Sequence, residues 1–148
     1  MKVYIAAPFF TKDQLEEVMH MENALSARGF EVFSPRLDTR IPGDATKEDQ
    51  EKAFNDNLTG ILDSGFVLAI TMNKDMGTVF ECGYAYAHKV PILYYAPGIE
   101  GPFNLMLAQS ASLGACTSCF EVTSILDEIR KRGLSKVIEE YEYEGEIE

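Results

Sequence analysis

One carboxylate, Glu81, stands in a stretch of sequence that could do chemistry. The stretch reads Asp75-Met-Gly-Thr-Val-Phe-Glu81-Cys-Gly-Tyr-Ala, and it follows an apolar run at 66–71. This order predicts a strand, a short loop and a helix whose first turn holds Glu81. The positive end of a helix dipole favours an ionised carboxylate, and an ionised carboxylate in an apolar cleft can act as a covalent nucleophile. From position alone, a Glu that only stabilises the helix is the simpler interpretation.

Cysteine and histidine give no convincing second site. The three cysteines, Cys82, Cys116 and Cys119, are an odd number without a secretory signal, which argues against a disulfide framework. The spacing of Cys116 and Cys119 suits a redox or metal pair, but no second pair accompanies them. His20 and His88 have no cysteine or carboxylate at ligand spacing. We therefore predict no metal site.

Charge restricts the partners. The net charge is −11, and the segment 134–148 carries six Glu and one Lys. An acidic protein is repelled by phosphate-rich polymers, so we expect no nucleic acid and no anionic membrane as partner. We divide the chain into one catalytic domain over 1–133 and an acidic tail over 134–148. No signal peptide and no apolar run of membrane-spanning length is evident, so we expect a cytoplasmic location.

Strand and helix patterns alternate along the chain. Apolar runs predict strands at 3–7, 30–33, 66–71 and 91–95, and more weakly at 116–120. Helices are predicted after a capping box at Thr11, over 46–62, around Glu81 and over 121–132. Residues 35–46 contain Pro42-Gly43 and are predicted to be a loop, which is long enough to cover a substrate.

This alternation predicts an α/β fold with a doubly wound, five-stranded and mostly parallel sheet of the flavodoxin or Rossmann type. Such sheets bind ligands at the carboxyl ends of the strands, where the strand order reverses. In a flavodoxin-like order, strands one and three flank that point, which brings Tyr4, Asp75 and Glu81 towards one crevice. No Gly-x-Gly-x-x-Gly follows the first strand and no Walker-type loop is present, so we predict no cofactor.

Four motifs stand in a fixed order along the chain. They are Tyr4 leading into Ala-Pro-Phe-Phe10, then Asn57-Leu-x-x-Ile, then Asp75-x-Gly77-Thr-x-x-Glu81-x-Gly-Tyr-Ala, and finally Asn104-Leu-Met106 after a Gly-Pro loop. As a set they resemble the nucleoside 2-deoxyribosyltransferase family, and the resemblance covers most of the chain. It implies an enzyme of nucleotide salvage, which moves 2-deoxyribose between nucleobases.

The resemblance implies a double displacement. Glu81 would attack C1′ of a 2′-deoxynucleoside and form a deoxyribosyl ester, and a second base would then attack with retention of the β configuration, as in retaining glycosidases. Tyr4 matches a tyrosine that orients the nucleophile, and Asp75 matches a carboxylate that binds the sugar or assists at the base. Without the resemblance, Tyr4 would be a core aromatic residue and Asp75 a turn residue.

The resemblance also implies substrate-binding residues and a second subunit. Asn104 matches an asparagine that reaches the sugar 5′-hydroxyl in a neighbouring subunit's site, so the active form would be a homo-oligomer, either a dimer or a hexamer. On its own, Asn104 is equally a helix cap. Asn57, Phe10, Gly77 and Met106 complete the expected substrate-binding set.

Asn57 departs from the pattern, because many members of the family have an aspartate there that serves the leaving base. An amide cannot donate a proton as an acid, but it can bind a base edge through its donor and its acceptor. Either Asp75 or solvent then protonates the base, or Asn57 simply holds it.

Two other functions remain open from the sequence. The first is hydrolysis of the N-glycosidic bond in deoxynucleosides or their 5′-monophosphates. Related hydrolases of the monophosphates place a serine near Asp75, whereas a carboxylate repels a phosphate at close range, so we favour free nucleosides with a free nucleobase as acceptor. The second is a non-catalytic nucleotide-binding domain on the same sheet.

Overall fold

The computed structural model describes all residues from 1 to 148 and contains one five-stranded sheet in the order β2-β1-β3-β4-β5. The strands are β1 Lys2–Ala6, β2 Glu31–Phe33, β3 Phe66–Ile70, β4 Ile92–Tyr95 and β5 Gly114–Cys116. The helices are α1 Lys12–Ala27, α2 Pro35–Asp38, α3 Lys47–Leu62, α4 Met76–Ala87, α5 Leu105–Ser110, α6 Cys119–Arg132 and α7 Leu134–Glu140. Every strand pair is parallel. The predicted α/β class and flavodoxin-like order are confirmed.

Both faces of the sheet are covered by helices. Alternate residues of β1 divide between two apolar clusters, with Val3 and Ile5 facing α1 and α6, and with Tyr4 and Ala6 facing α3, α4 and α5. All five residues of β3 are buried. This explains why the central strand is a continuous apolar run in the sequence, because a strand covered on both faces needs no polar side.

The first helix begins and ends where its sequence predicts. Thr11 caps α1, and Thr11 and Gln14 form the complete capping box. The chain leaves the helix at Gly29, whose φ of +75° is left-handed and suits a glycine. These end signals fix the entry and exit of the first crossover between parallel strands.

Two predicted segments are wrong. The weak strand expected at 116–120 is displaced, because β5 ends at Cys116, and Ser118 and Glu121 form a capping box that starts α6. The segment 35–46 is not wholly a loop, because Pro35 opens the one-turn helix α2.

Residues 134–148, which the sequence sets apart as an acidic tail, pack on the rest of the chain. Helix α7 contacts α6. Beyond it, the backbone N–H of Phe103 donates to the carbonyl of Glu146 at 2.9 Å, and the N–H of Glu148 donates back to Phe103 at 3.1 Å. Tyr143 lies against the Phe103 ring with 6.2 Å between centroids. None of the helices is both long and apolar enough to cross a membrane.

Candidate active site

Tyr4 and Glu81 meet where the strand order reverses. Strand β1 pairs directly with β3, and α4, which follows β3, packs on both strands. Tyr4 is completely buried, and its hydroxyl donates a hydrogen bond to Oε1 of Glu81 at 2.5 Å. The fold therefore brings together two side chains that are 77 positions apart in the sequence.

The ring of Tyr4 is fixed by its neighbours. It stacks on Phe33 from β2, with 5.3 Å between centroids and 16° between planes. On the far side of Phe33, helix α3 approaches at Gly60, where a Cβ atom would lie only 2.9 Å from the Phe33 ring. Because only a glycine leaves room there, Gly60 permits the stack that positions the Tyr4 hydroxyl.

The sequence predicted that Glu81 lies in the first turn of its helix, and this prediction is wrong. Asp75 caps α4 and the helix begins at Met76, so Glu81 lies in the second turn. Burial raises the pKa of Glu81 to about 7, the hydrogen bond from Tyr4 opposes that shift, and the charge of Asp75 adds to it. The expected stabilisation of the ionised form by the helix dipole is wrong, because the dipole falls off beyond the first turn and desolvation dominates.

Tyr4 is a hydrogen-bond donor to this carboxylate. Burial and the nearby charge of Glu81 raise the pKa of the Tyr4 phenol far above its usual value. When Glu81 is ionised, the protonated phenol donates to the carboxylate oxygen, which orients Glu81 and offsets part of the cost of its charge. The second oxygen, Oε2, makes no hydrogen bond with the protein and is therefore free to contact a ligand.

A cleft of about 470 Å³ opens beside Glu81. Five residues that the sequence singled out line it: Glu81, Asp75, Gly77, Asn57 and Phe10. Phe10 is one of the most exposed aromatic side chains of the chain, and it stacks on Phe9 at 5.1 Å. A cleft of this size, lined by both apolar and polar side chains, suits a small organic ligand that has polar groups of its own.

One carboxylate oxygen of Asp75 is hydrogen-bonded within the chain and the other is free. Its Oδ2 accepts hydrogen bonds from the backbone N–H and the hydroxyl of Thr78, at 2.7 and 2.9 Å, which caps α4. Its Oδ1 has no hydrogen-bond partner in the chain. The turn-residue and substrate-binding interpretations are thus compatible, since capping holds the carboxylate in place at the edge of the cleft.

Asn104 and Met106 do not line the Glu81 cleft. They lie beside a second cavity of about 370 Å³, which meets the first at Asp75. Asn104 is exposed and caps α5, with its Oδ1 accepting from Met106 and Leu107 at 3.0 and 3.4 Å. Within one chain, these two residues are therefore separated from Glu81.

The segment after β2 supplies residues that sequence reasoning missed. Thr39 and Arg40 line the cleft, as do Gln50 and Phe54 of α3. The only signal for the first two was the length of the polar segment 35–46. The ring of Phe54 is half exposed and lies 6.0 Å from that of Phe80.

The cysteines do not form a metal site with any neighbouring ligands. Cys82 and Cys116 are buried, and Cys119 Sγ lies 3.1 Å from Nε2 of His20. No group of three or more potential metal ligands occurs in the 148 residues.

Comparison with known proteins points to one family. Residues 3–112 match the sequence profile of the family described as nucleoside 2-deoxyribosyltransferase. Among solved structures, a 2-deoxyribosyltransferase from the psychrotolerant bacterium Bacillus psychrosaccharolyticus is 25% identical, with a TM-score of 0.75, over 93% of this chain and 96% of that one. No curated protein matches in a sequence search.

Two further structures share the fold at lower identity. A conserved protein from Enterococcus faecalis V583 is 18% identical, with a TM-score of 0.71, over 86% of this chain and 98% of that one. The CMP N-glycosidase BcmB from Clostridium botulinum is 15% identical, with a TM-score of 0.58, over 86% of this chain and 97% of that one.

Proposed function

Because the chain belongs to the nucleoside 2-deoxyribosyltransferase family and is an enzyme of that type, we propose that it exchanges nucleobases on 2-deoxyribose through a covalent deoxyribosyl ester of Glu81. The observation that carries this proposal is the buried pair of Tyr4 and Glu81 at the wall of the cleft. A carboxylate with one oxygen held and one free is arranged as an oriented nucleophile.

In the first half of the reaction, Glu81 attacks C1′ as the bond from C1′ to the base nitrogen breaks. The electron pair of that bond leaves with the base. The transition state resembles an oxocarbenium ion, which is favoured here because deoxyribose lacks the electron-withdrawing 2′-hydroxyl. The negative charge of Asp75 at the edge of the cleft also favours a cationic sugar.

In the second half, a free nucleobase attacks C1′ from the face that the first base left. The ester bond to Glu81 breaks and the carboxylate is regenerated. Two displacements restore the β configuration. Tyr4 donates to Oε1 throughout, which stabilises the departing carboxylate in this step.

Free nucleosides suit the cleft better than nucleotides. Its charged side chains are Asp75, Glu81 and Arg40, and Arg40 is an exposed residue. A dianionic phosphate near two carboxylates and one exposed guanidinium is disfavoured by Coulomb repulsion. We therefore propose 2′-deoxynucleosides and free nucleobases as the substrates. We also propose that the enzyme acts in the cytoplasm.

Hydrolysis is the second candidate function, because the fold is shared with a CMP N-glycosidase. Water would then replace the acceptor base in the second displacement. Release of free deoxyribose that is equally fast with and without an acceptor base would identify a hydrolase. Release that becomes slow when the acceptor is omitted would identify a transferase.

We propose that the enzyme is a homo-oligomer assembled through α4 and α5. Exposed apolar side chains follow one another along these helices: Met76, Val79, Phe80, Tyr86, Leu105 and Met106. The only charged residue of α4 is Glu81, which faces the cleft, so this surface lets two acidic chains approach without like charges in contact. Asn104 lies on it and would complete the site of the neighbouring subunit.

The direct test is base exchange. The protein is incubated with deoxyinosine and adenine, and deoxyadenosine is followed by chromatography. We expect new nucleoside from the wild type, and a loss of about 10³-fold or more for Glu81→Ala. Absence of any new nucleoside with several donor and acceptor pairs, from folded wild-type protein, would refute the transferase.

The covalent step has its own test. Brief exposure to a 2′-fluorinated deoxynucleoside slows hydrolysis and transfer of the ester, because fluorine destabilises the oxocarbenium-like transition state. We expect intact-protein mass spectrometry to find one sugar adduct, and peptide mapping to locate it on Glu81. An adduct on another residue would overturn the assigned nucleophile.

A further inference from the structure

Thr39 and Asn57 form a hydrogen bond at the wall of the cleft. Oγ1 of Thr39 lies 2.5 Å from Oδ1 of Asn57 and 3.2 Å from the carbonyl of Pro35. Both residues line the cleft that contains Glu81. This contact fixes the face that the Asn57 amide presents to a ligand.

The amide oxygen of Asn57 is the end of the amide that meets Thr39. The Thr39 hydroxyl donates to this Oδ1 at 2.5 Å, so the hydroxyl proton lies between the two oxygens. The more distant Pro35 carbonyl is then a weaker, secondary acceptor.

The NH₂ group of Asn57 is left to the cleft. It donates to no protein atom, and it is not among the side-chain atoms sealed from solvent without a partner, of which Tyr141 Oη is the sole example. A donor that is open and unpaired at the wall of a binding cleft is available to a ligand acceptor.

Thr39 is itself held in place. It ends α2, and its backbone N–H donates to the carbonyl of Pro35 at 3.1 Å. Helix α2 is tied to α1 by a bidentate pair between Arg36 and Glu22, of which Glu22 is almost completely buried. An anchored hydroxyl of this kind can dictate the orientation of the amide rather than follow it.

We propose that Thr39 is a positioning residue that fixes Asn57 as a hydrogen-bond donor to the leaving base, so that the base departs as an anion stabilised by the amide and not as a base protonated by an acid. This inference rests on the proposed function. It assigns the leaving base an acceptor, either a ring nitrogen or a carbonyl oxygen, on the edge that faces α3.

The step balances without an acid. The bond from C1′ to the base nitrogen breaks and its electron pair stays on the base, while an oxygen lone pair of Glu81 forms the new bond to C1′. The base carries one negative charge, which strengthens its hydrogen bond from Asn57 as the bond breaks. It takes up its proton from water after it leaves. The hydrogen bond from Asn57 thus stabilises the negative charge of the leaving base in the transition state, whereas an acidic residue would neutralise that charge by proton transfer.

The first test compares Thr39→Val with Thr39→Ser. Single-turnover release of base is measured from a purine donor and a pyrimidine donor, deoxyadenosine and deoxycytidine. We expect Thr39→Val to slow the step by about 10-fold or more, the effect of one hydrogen bond to a charged group, and Thr39→Ser to recover most of the rate. Thr59→Val, an exposed position on α3, controls for the exchange of Thr for Val.

A merely structural role of Thr39 would give a different result. Loosening of α2 would raise KM and lower the melting temperature without changing how the rate depends on the basicity of the leaving base. The proposal requires that this dependence become steeper in Thr39→Val. An unchanged dependence, or a rate equal to that of the wild type, overturns it.

The second test is the pH profile of the same step. The titratable groups of the cleft are Glu81 and Asp75 from α4 and Arg40 after α2, with Tyr4 of β1 bonded to Glu81. We expect the wild-type rate to rise with pH as Glu81 ionises and then to stay level, since no acid must remain protonated. Asn57→Asp introduces a carboxyl that donates only when protonated, so its rate should fall again at higher pH.

A wild-type rate that falls at high pH with both donors overturns the proposal. So does an Asn57→Asp variant whose profile is identical to that of the wild type. If the wild type releases no base from any donor, the proposed function itself fails. Release by the wild type together with unaltered Thr39→Val overturns only the role of Thr39.

Discussion

At the scale of single residues, we expect the ionisation of Glu81 to set the pH range in which the enzyme works. Burial raises the pKa of Glu81 to about 7, so the proposed nucleophile becomes fully ionised only above neutral pH. We expect kcat/KM for base exchange to rise with pH through about 7 and then to level off. A rate that falls over the same range would show that the protonated form of Glu81 is the active one.

Tyr4→Phe should move that midpoint upwards. The hydrogen bond from Tyr4 lowers the pKa of Glu81 and partly offsets its burial, so its loss leaves the carboxylate harder to ionise. The measurement is the pH dependence of kcat/KM in wild type and variant. A midpoint that stays in place, or moves downwards, would mean that Tyr4 does not act on the charge of Glu81.

The same burial makes Glu81 a cost to stability at alkaline pH. Its pKa is 4.5 unperturbed and about 7 in the folded protein, so its stabilising contribution is full below 4.5 and is lost as the pH rises through 7. The difference corresponds to about 3 kcal/mol. We expect Glu81→Gln to be more stable than wild type at pH 8 and to lose that advantage at pH 4, as urea denaturation would measure. Equal differences at both pH values would contradict the raised pKa.

The site residues could be predicted from the sequence where they belong to a motif. They could not be predicted where tertiary packing determines their position. Tyr4, Asp75 and Glu81 could be assigned to one crevice from fold logic, and the family resemblance added Asn57. The turn of α4 that holds Glu81 could not, because it depends on whether Asp75 caps the helix or lies in a loop before it. A role for Thr39 could not be predicted, because its hydroxyl is placed at the cleft only by the packing of α2 on α1.

At the scale of elements, the approach of α3 to β2 controls the site. Gly60→Ala adds a Cβ atom 2.9 Å from the Phe33 ring, which is already stacked on Tyr4. Alanine favours a helix by about 0.5–1 kcal/mol over glycine, but overpacking costs about 1–3 kcal/mol. We therefore expect lower stability together with slower base exchange, measured by thermal unfolding and kinetics.

The control for this prediction is Thr59→Ala, at the exposed neighbouring position of α3. It introduces the same residue into the same helix without touching Phe33, and should leave both measurements close to the wild type. A Gly60→Ala variant as stable and as active as this control would show that Phe33 can move without disturbing Tyr4.

Most of the helices and strands could be predicted from the sequence. Long amphipathic or apolar segments such as α1 and β3 were located correctly, because caps and continuous apolar runs are local signals. Short elements were not. Helix α2 has one turn and is held by tertiary contacts, and β5 has three residues, so neither has enough length for a periodic pattern.

At the scale of the whole molecule, the apolar face of α4 and α5 is the surface through which we propose that chains assemble. Tyr86→Arg places a charge in the middle of that face, and burial of an unpaired charge is costly. We expect the variant to dissociate in sedimentation velocity and to lose base exchange, because Asn104 would no longer reach a neighbouring cleft. Met19→Arg, on the exposed side of α1, is the matched control and should remain assembled. Full activity of a monomeric Tyr86→Arg would exclude a shared site.

The separation of Tyr4 and Glu81 along the chain has a consequence for refolding. These partners are 77 positions apart, and they meet only after β1 has found β3 across the intervening helices. Contacts so distant in sequence close slowly, whereas helices form in microseconds. After dilution from denaturant, the far-ultraviolet helical signal should therefore return well before catalysis does, because turnover requires both this long-range pairing and the proposed assembly of subunits.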